Sequence, residues 1–185
     1  MSLISGTRGQ LLRVIAFPSN GTWTKGNDVG MIEVQVVGGG GGGAYGVSAG
    51  GVGTSSAFGS HCSATGGGGG TPNSVASGYR AAGVGGIGNS GDINFQGEDG
   101  TDGYQGTSFT TRGGSSFIAR YGMGGNGTAG AAAGGAGGAA IKIINETSLS
   151  SSESITIGAG GAGGSGSNAN GSGKPGIVIV YEYSR

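Results

Sequence analysis

The stretch VQVVGGGGGGAYG, residues 34–46, runs from strand-like residues straight into six consecutive glycines. No other feature limits the fold so strongly. Gly loses more backbone entropy on ordering than any other residue and brings no apolar side chain to a core. Something other than side chains must therefore hold these residues in place. The run is one of several: GGGGG (66–70), GVGGIG (83–88), GMGGNGTAGAAAGGAGG (122–138) and GAGGAGGSG (158–166).

A phosphate-binding loop is the first reading to test. It requires that the glycines open a helix whose N-terminus meets the anion, with an acid about 20 residues on. After Gly43 comes AYGVSAGGVGTSSAFGSH, which has no apolar spacing of three and four, and the next acid is Asp92. With 51 glycines in 185 residues, a GxGxxG match arises by chance almost anywhere. A dinucleotide site is excluded on these grounds.

Charge removes further classes. Nine basic and nine acidic residues make only 10% of the chain, so nothing draws it to nucleic acid or to a membrane surface. The arginines are scattered, unlike those of an RGG-type RNA binder. Glycine without a strict three-residue period, and only three prolines, exclude a collagen triple helix. LLRVIAF is too short to span a bilayer and is interrupted by Arg13. Cys62 has no intrachain disulfide partner and reads as a small half-buried residue. His61 stands beside it, but neighbours on an extended segment point to opposite sides and no third ligand exists, so neither a Cys/His dyad nor a metal pair is expected. One histidine and no GxSxG elbow leave a hydrolase triad without support. No enzyme activity and no cofactor are expected.

Five β-branched stretches stand out from the glycine: LLRVIAF (11–17), MIEVQVV (31–37), AIKIIN (140–145), ESITIG (153–158) and GIVIVYE (176–182). Each reads as a strand. Alternation puts Ile32, Val34 and Val36 on one face and pairs Ile155 with Ile157. GTWTKGNDVG reads as a hairpin-like turn between the first two, with Trp23 covering the end of the sheet, and ETSLSSS joins the third and fourth. The predicted fold is one domain, residues 1–185, mainly β and irregular with almost no α-helix. Its chain ends, 1–37 and 139–185, form a small antiparallel sheet or sandwich. Residues 38–138 form runs in the polyglycine II conformation with inserted loops. Such helices have three residues per turn and no internal hydrogen bonds, so their backbone groups must pair sideways with neighbours that only glycine lets close enough.

LLRVIAFPSNGTWTK followed by a strand and VVGGGGGG resembles the opening of the glycine-rich terminal domain on tail fibres of tailed bacteriophages. SSAFGSHCSATGGGGG (55–70), GGIGNSGDINFQGEDG (85–100), AAIKIINETSLSSSESITIGAGGAGG (139–164) and GKPGIVIVYEYS (173–184) are similar to later parts of the same family, so the likeness covers essentially the whole chain. Gly26 stands where the family usually has Pro. The Met just ahead of the domain suggests a stand-alone tip or baseplate protein, or a fragment. The resemblance implies a virion protein at a tail fibre or tail tip. It implies an adhesin that binds a host surface polysaccharide or outer-membrane protein through loops between glycine helices. Other fibre or baseplate proteins are expected partners, and a homotrimer the expected assembly. A purely structural fibre component is the alternative. An ice-binding face is disfavoured because the threonines show no fixed period.

Ordinary side chains interrupt the glycine in 71–82 and 92–112. Ring faces cover the apolar C–H groups of sugars, and carboxylates and amides accept from hydroxyls. The candidate receptor-binding residues are therefore Tyr79, Asp92, Asn94, Phe95, Glu98, Asp99, Asp102, Tyr104 and Phe109. A competing reading makes the acids a solvated cap and the rings gap fillers. Calcium at Asp92, Asn94, Glu98, Asp99 and Asp102 is chemically possible, but the spacing is not that of an EF-hand, and no metal site is expected.

Overall fold

The alternation in MIEVQVV resolves into the middle strand of a five-stranded sheet. Ile32, Val34 and Val36 are fully buried while Met31, Glu33 and Gln35 on the opposite face stay partly exposed. The structure, a computed structural model, describes residues 9–72, 78–104, 110–165 and 171–185. Its strands are β1 (Leu11–Phe17), β2 (Gly21–Thr24), β3 (Val29–Val37), β4 (Ser56–Phe58), β5 (Cys62–Ala64), β6 (Tyr79–Arg80), β7 (Gly88–Asn89), β8 (Ile93–Phe95), β9 (Gly103–Tyr104), β10 (Ala139–Asn145), β11 (Ser152–Thr156) and β12 (Ile177–Ser184). Among the described residues there is no α-helix, and Glu146–Ser148 forms a 3-10 turn.

The strands form two antiparallel sheets, ordered β1-β12-β3-β10-β8 and β2-β11-β4-β5-β7, and a small β6-β9 pair. Val34, Val36, Val178 and Val180 of the first sheet meet Trp23, Phe58, Ala64 and Ile155 of the second in one core. Trp23 and Phe58 lie 5.8 Å apart between ring centres. Glu182 enters this core at 2% exposure and is satisfied there. Arg13 Nε lies 2.5 Å and Trp23 Nε1 2.7 Å from its carboxylate oxygens, as a buried charge requires.

Three expectations are corrected. β1 and β3 do not form a hairpin; both flank β12, and the GTWT of their connection is itself β2 in the other sheet. Burying Trp23 between the sheets draws that segment across, where a surface turn would leave the indole exposed. β10 and β11 also separate into different sheets. The glycine-rich middle, moreover, supplies β4, β5, β7 and β8 to the sandwich.

From the sandwich the chain continues into glycine runs. β3, β5, β8 and β11 lead into 38–44, 65–71, 97–103 and 158–164, and the runs 50–54, 83–86, 131–138 and 171–176 lead into β4, β7, β10 and β12. Along 38–44 the donors Gly38, Gly41 and Ala44 reach the carbonyls of Gly138, Gly135 and Ala132. Gly39 and Gly42 reach Thr54 and Gly51, and Gly40 and Gly43 reach Lys174 and Gly171. Every third residue thus addresses the same neighbour. The carbonyls repeat the rule: Gly39 and Gly42 accept from Gly67 and Gly70, Gly40 and Gly43 from Gly161 and Gly164, and Gly41 and Ala44 from Gly125 and Thr128.

Residues 131–138 behave alike. Ala132, Gly135 and Gly138 donate to Thr71, Gly68 and Thr65; Ala133 and Ala136 to Thr101 and Glu98; Gly134 and Gly137 to Gly125 and Gly122. Ala133 and Ala136 accept from Gly83 and Gly86, and Gly134 accepts from Gly114. Each inner run is ringed by six others, with 65–71 and 122–128 common to both rings. A Cβ at any of residues 38–43 would come closer than 3.0 Å to a neighbouring carbonyl, a distance real Cβ atoms essentially never reach. In the second inner run Gly134, Gly135, Gly137 and Gly138 meet the same obstacle, while Ala133 and Ala136, three apart, carry buried methyls.

Candidate functional site at the far end of the bundle

The sequence GEDGTDGY (97–104) shows how an outer run is built. Gly97, Gly100 and Gly103 face the inner run, where a Cβ would collide with the backbone of 130–137. The residues between them point sideways. Asp99 Oδ1 accepts from Gly85 N–H at 2.7 Å and Asp102 Oδ1 from Ala82 N–H at 2.8 Å. On the other flank Glu98 Oε2 accepts from Ser115 N–H at 3.1 Å and Thr101 Oγ1 from Arg112 N–H at 2.6 Å. The three-residue spacing that aims glycines inward also aims acids and hydroxyls at backbone N–H groups which the adjoining runs leave unpaired. The Glu98 carboxyl is held below its usual range by the side-chain and backbone hydrogen bonds at Ser115.

The nine predicted residues do not converge. Asp92, Asn94 and Phe95 lie in or beside β8 at the sandwich, with Asp92 accepting from Ile143 N–H at 2.8 Å, Asn94 bonded across its own turn to Gly91, and Phe95 stacked on Phe117 at 4.8 Å. Glu98 and Asp99 lie along the bundle. Tyr79, Asp102 and Tyr104 do come together at its far end, where β6 pairs Tyr79 with Tyr104 and the Tyr79 hydroxyl donates to Asp102 Oδ2 at 2.7 Å. That hydrogen bond raises the Tyr79 pKa above its usual value. Phe109 lies outside the described residues. Among the described residues no three His, Cys, Asp or Glu side chains are grouped to hold a metal ion.

The same end carries residues that the sequence reading passed over. Tyr45 bridges to both Ser48 and Thr128, and Val47 between them is 79% exposed. Ser48 Oγ accepts from Ser165 N–H at 2.8 Å, tying in the end of 158–164. Arg80, which reads in sequence as one of the scattered arginines, is fully buried with Nη1 3.2 Å from the Tyr79 carbonyl. The sequence does carry one sign of Tyr45: it is the first side chain larger than a methyl after the six consecutive glycines 38–43.

Elsewhere, His61 and Cys62 diverge. His61 Nε2 lies 3.1 Å from Glu153 Oε1, whereas Cys62 is buried in the sandwich core and its thiol is pushed up to about 11 by that burial. Chemically, the far end offers exposed phenol rings, backbone amides and one carboxylate already engaged by Tyr79 and Ala82. No family model matches the chain, and neither a curated protein nor a solved structure matches it.

Proposed function

We propose that this is a tail-fibre or tail-tip protein of a tailed bacteriophage, located on the virion, whose glycine runs are packed polyglycine II helices and whose far end is an adhesive surface for the host cell. The helix assignment rests on the hydrogen-bond period of three, the repeat of a threefold extended helix. The shared pair of neighbours supports it too, since two adjacent points of a hexagonal lattice share two neighbours. The observation that carries the functional reading is the division of side chains. The bundle interior admits only hydrogen and methyl, while Tyr45, Val47, Tyr79 and Tyr104 are exposed at the end farthest from the sandwich. A rigid stalk that presents rings at its tip suits contact with a surface polysaccharide or an outer-membrane protein. Single contacts of that kind are weak, and several copies engaging together raise the avidity.

The alternative, a structural fibre component with no receptor, is favoured by one observation. The acids of 92–102 are occupied with backbone N–H groups, which leaves them little to offer a ligand. A cell-binding assay separates the two. Labelled wild-type protein should bind host cells, and Tyr79→Ala with Tyr104→Ala should lose binding while its far-ultraviolet spectrum and melting temperature hold. Binding retained by the folded double variant would remove the tip from the reading. No binding by the wild type to any strain the phage infects would favour the structural role.

A further inference from the structure

We infer that the outer face of the first sheet is an interface with other copies of this chain. The bundle is three layers deep: 50–54, 65–71 and 83–86 above the two inner runs, and 111–116, 122–128 and 171–176 below them. The β part is only two sheets deep. The lower layer stops at the turn 117–121, which covers just the row of the first sheet nearest the bundle: Ile118 and Tyr121 pack on Val37, Ala139 and Ile177, and Phe117 stacks on Phe95. Beyond that ledge the sheet is bare among the described residues. Its next rows are fixed by register: Val14, Tyr181, Glu33 and Ile143 form one line across four strands, Leu11 lies in the row below and Ile93 in the row above. Val14 is 50%, Ile143 52%, Ile93 53% and Leu11 48% exposed.

Patches of this kind on a monomer mark contact surfaces, and three features point to a second copy as the occupant. Four strands about 4.8 Å apart, each seven to nine residues long, with the three-residue β8 at their edge, make a face of roughly 20 Å by 23 Å. With side-chain relief this approaches the ~800 Å² per partner that a stable pair buries. The central line carries one formal charge, Glu33, whose carboxylate already accepts from Gln35 Nε2 at 2.9 Å. Copies therefore meet without strong like-charge repulsion, and a strongly charged partner finds nothing to pair with. Finally, the strands run on into the glycine runs, so the face lies along the side of the molecule. Rotation about an axis parallel to the bundle brings such faces together with every far end pointing the same way.

Sedimentation equilibrium or light scattering on the full chain tests this, with Val14→Asp/Ile143→Asp as the disrupting variant; both positions are half exposed, so each protomer should keep its fold. The wild type should show a discrete oligomer and the folded variant a monomer. A wild type that stays monomeric up to its solubility limit would overturn the proposal, and so would a folded variant of wild-type mass. Hydroxyl-radical footprinting of the wild type needs no substitution: Tyr181 and Met31 should become protected as the oligomer forms. Unprotected side chains there in a sample that is fully oligomeric would place the contact elsewhere.

Discussion

The sandwich and the glycine bundle solve the same problem, the pairing of every buried backbone group, by opposite means. In the sandwich the ladders leave two faces per strand, and side chains on one of them build a core: Val34 and Val180 can be there because the sheets stand apart. In the bundle each inner run is surrounded on all sides by backbone, and there is room for nothing larger than a methyl. Apolar burial thus stabilises one half, while close-packed hydrogen bonds and van der Waals contact hold the other. One half is therefore specified by what its residues have, and the other by what they lack.

The largest expected effect follows from that contrast. Gly40→Ala puts a methyl into the Met123 carbonyl, and no flexible side chain is there to move aside. The cost should exceed about 4 kcal/mol, in the exceptional class for single substitutions. Gly68→Ala is the graded partner, since its Cβ would meet nothing closer than Val84 N at 3.0 Å, and it should cost about 1–2 kcal/mol as a strained fit. Chemical denaturation of both variants measures the difference. Equal losses would mean that the ring of six neighbours does not set the tolerance.

In the sandwich, Val34→Ala leaves a small cavity between the sheets and should cost about 2 kcal/mol. That is less than a methyl added at Gly40, although the substitution removes atoms from a fully buried side chain. If deletion in the sandwich proved worse than addition in the bundle, the division drawn above would fail.

How much of this was legible follows the same division. Strand residues announce themselves by β-branching and alternation, and the predicted stretches at 11–17, 31–37 and 140–145 match β1, β3 and β10 within two residues. Their partners were not legible, because sheet membership depends on where Trp23 is buried and no local signal carries that. The helix-poor character was readable from glycine and β-branched composition. Antiparallel pairing was expected from the short connections GTWTKGNDVG and ETSLSSS, and the sheets are antiparallel although the strands those segments join do not pair with each other. The candidate site was read less well. Acids beside rings suggested a ligand, yet the decisive pattern in GEDGTDG was the spacing of its glycines. Once the glycines at 97, 100 and 103 are taken as inward, Asp99 and Asp102 must share one flank and Glu98 and Thr101 the other. Tyr79 and Tyr104 lie 25 positions apart and are joined only by the fold, so their meeting had no local sign.

A smaller effect tests the polar side of the sandwich. Burial pushes the Glu153 carboxyl up, but hydrogen bonds from His61 and from Ser150 N–H outweigh it, and the group sits below its ordinary 4.5. A depressed folded-state pKa gives stability that is fully present above the unfolded value and is lost as pH falls through the folded one. The melting temperature of the wild type should therefore drop from about pH 5 toward about pH 3, and Glu153→Gln should flatten that slope at a cost of about 1 kcal/mol near neutrality. Parallel pH profiles for the two proteins would show that the pair contributes nothing.

The smallest effect lies on the outside of the bundle, where side chains supply acceptors to backbone N–H groups. Asp99 serves the bundle from outside: its carboxylate supplies the acceptor for Gly85 N–H that no adjoining run among the described residues supplies. Exposure lets water replace it in part, so Asp99→Ala should cost only a few tenths of a kcal/mol, far below a methyl added at Gly40. Asp99→Asn keeps an oxygen in place and should recover most of the loss. Hydrogen exchange at the Gly85 amide is the sharper measurement. It should quicken in Asp99→Ala and stay near the wild-type rate in Asp99→Asn, while the Gly41 amide, bonded to Gly135 inside the bundle, stays protected in both. If Gly41 also exchanged faster, the outer cap would be supporting the inner runs, and the bundle would owe more to its side chains than its interior suggests.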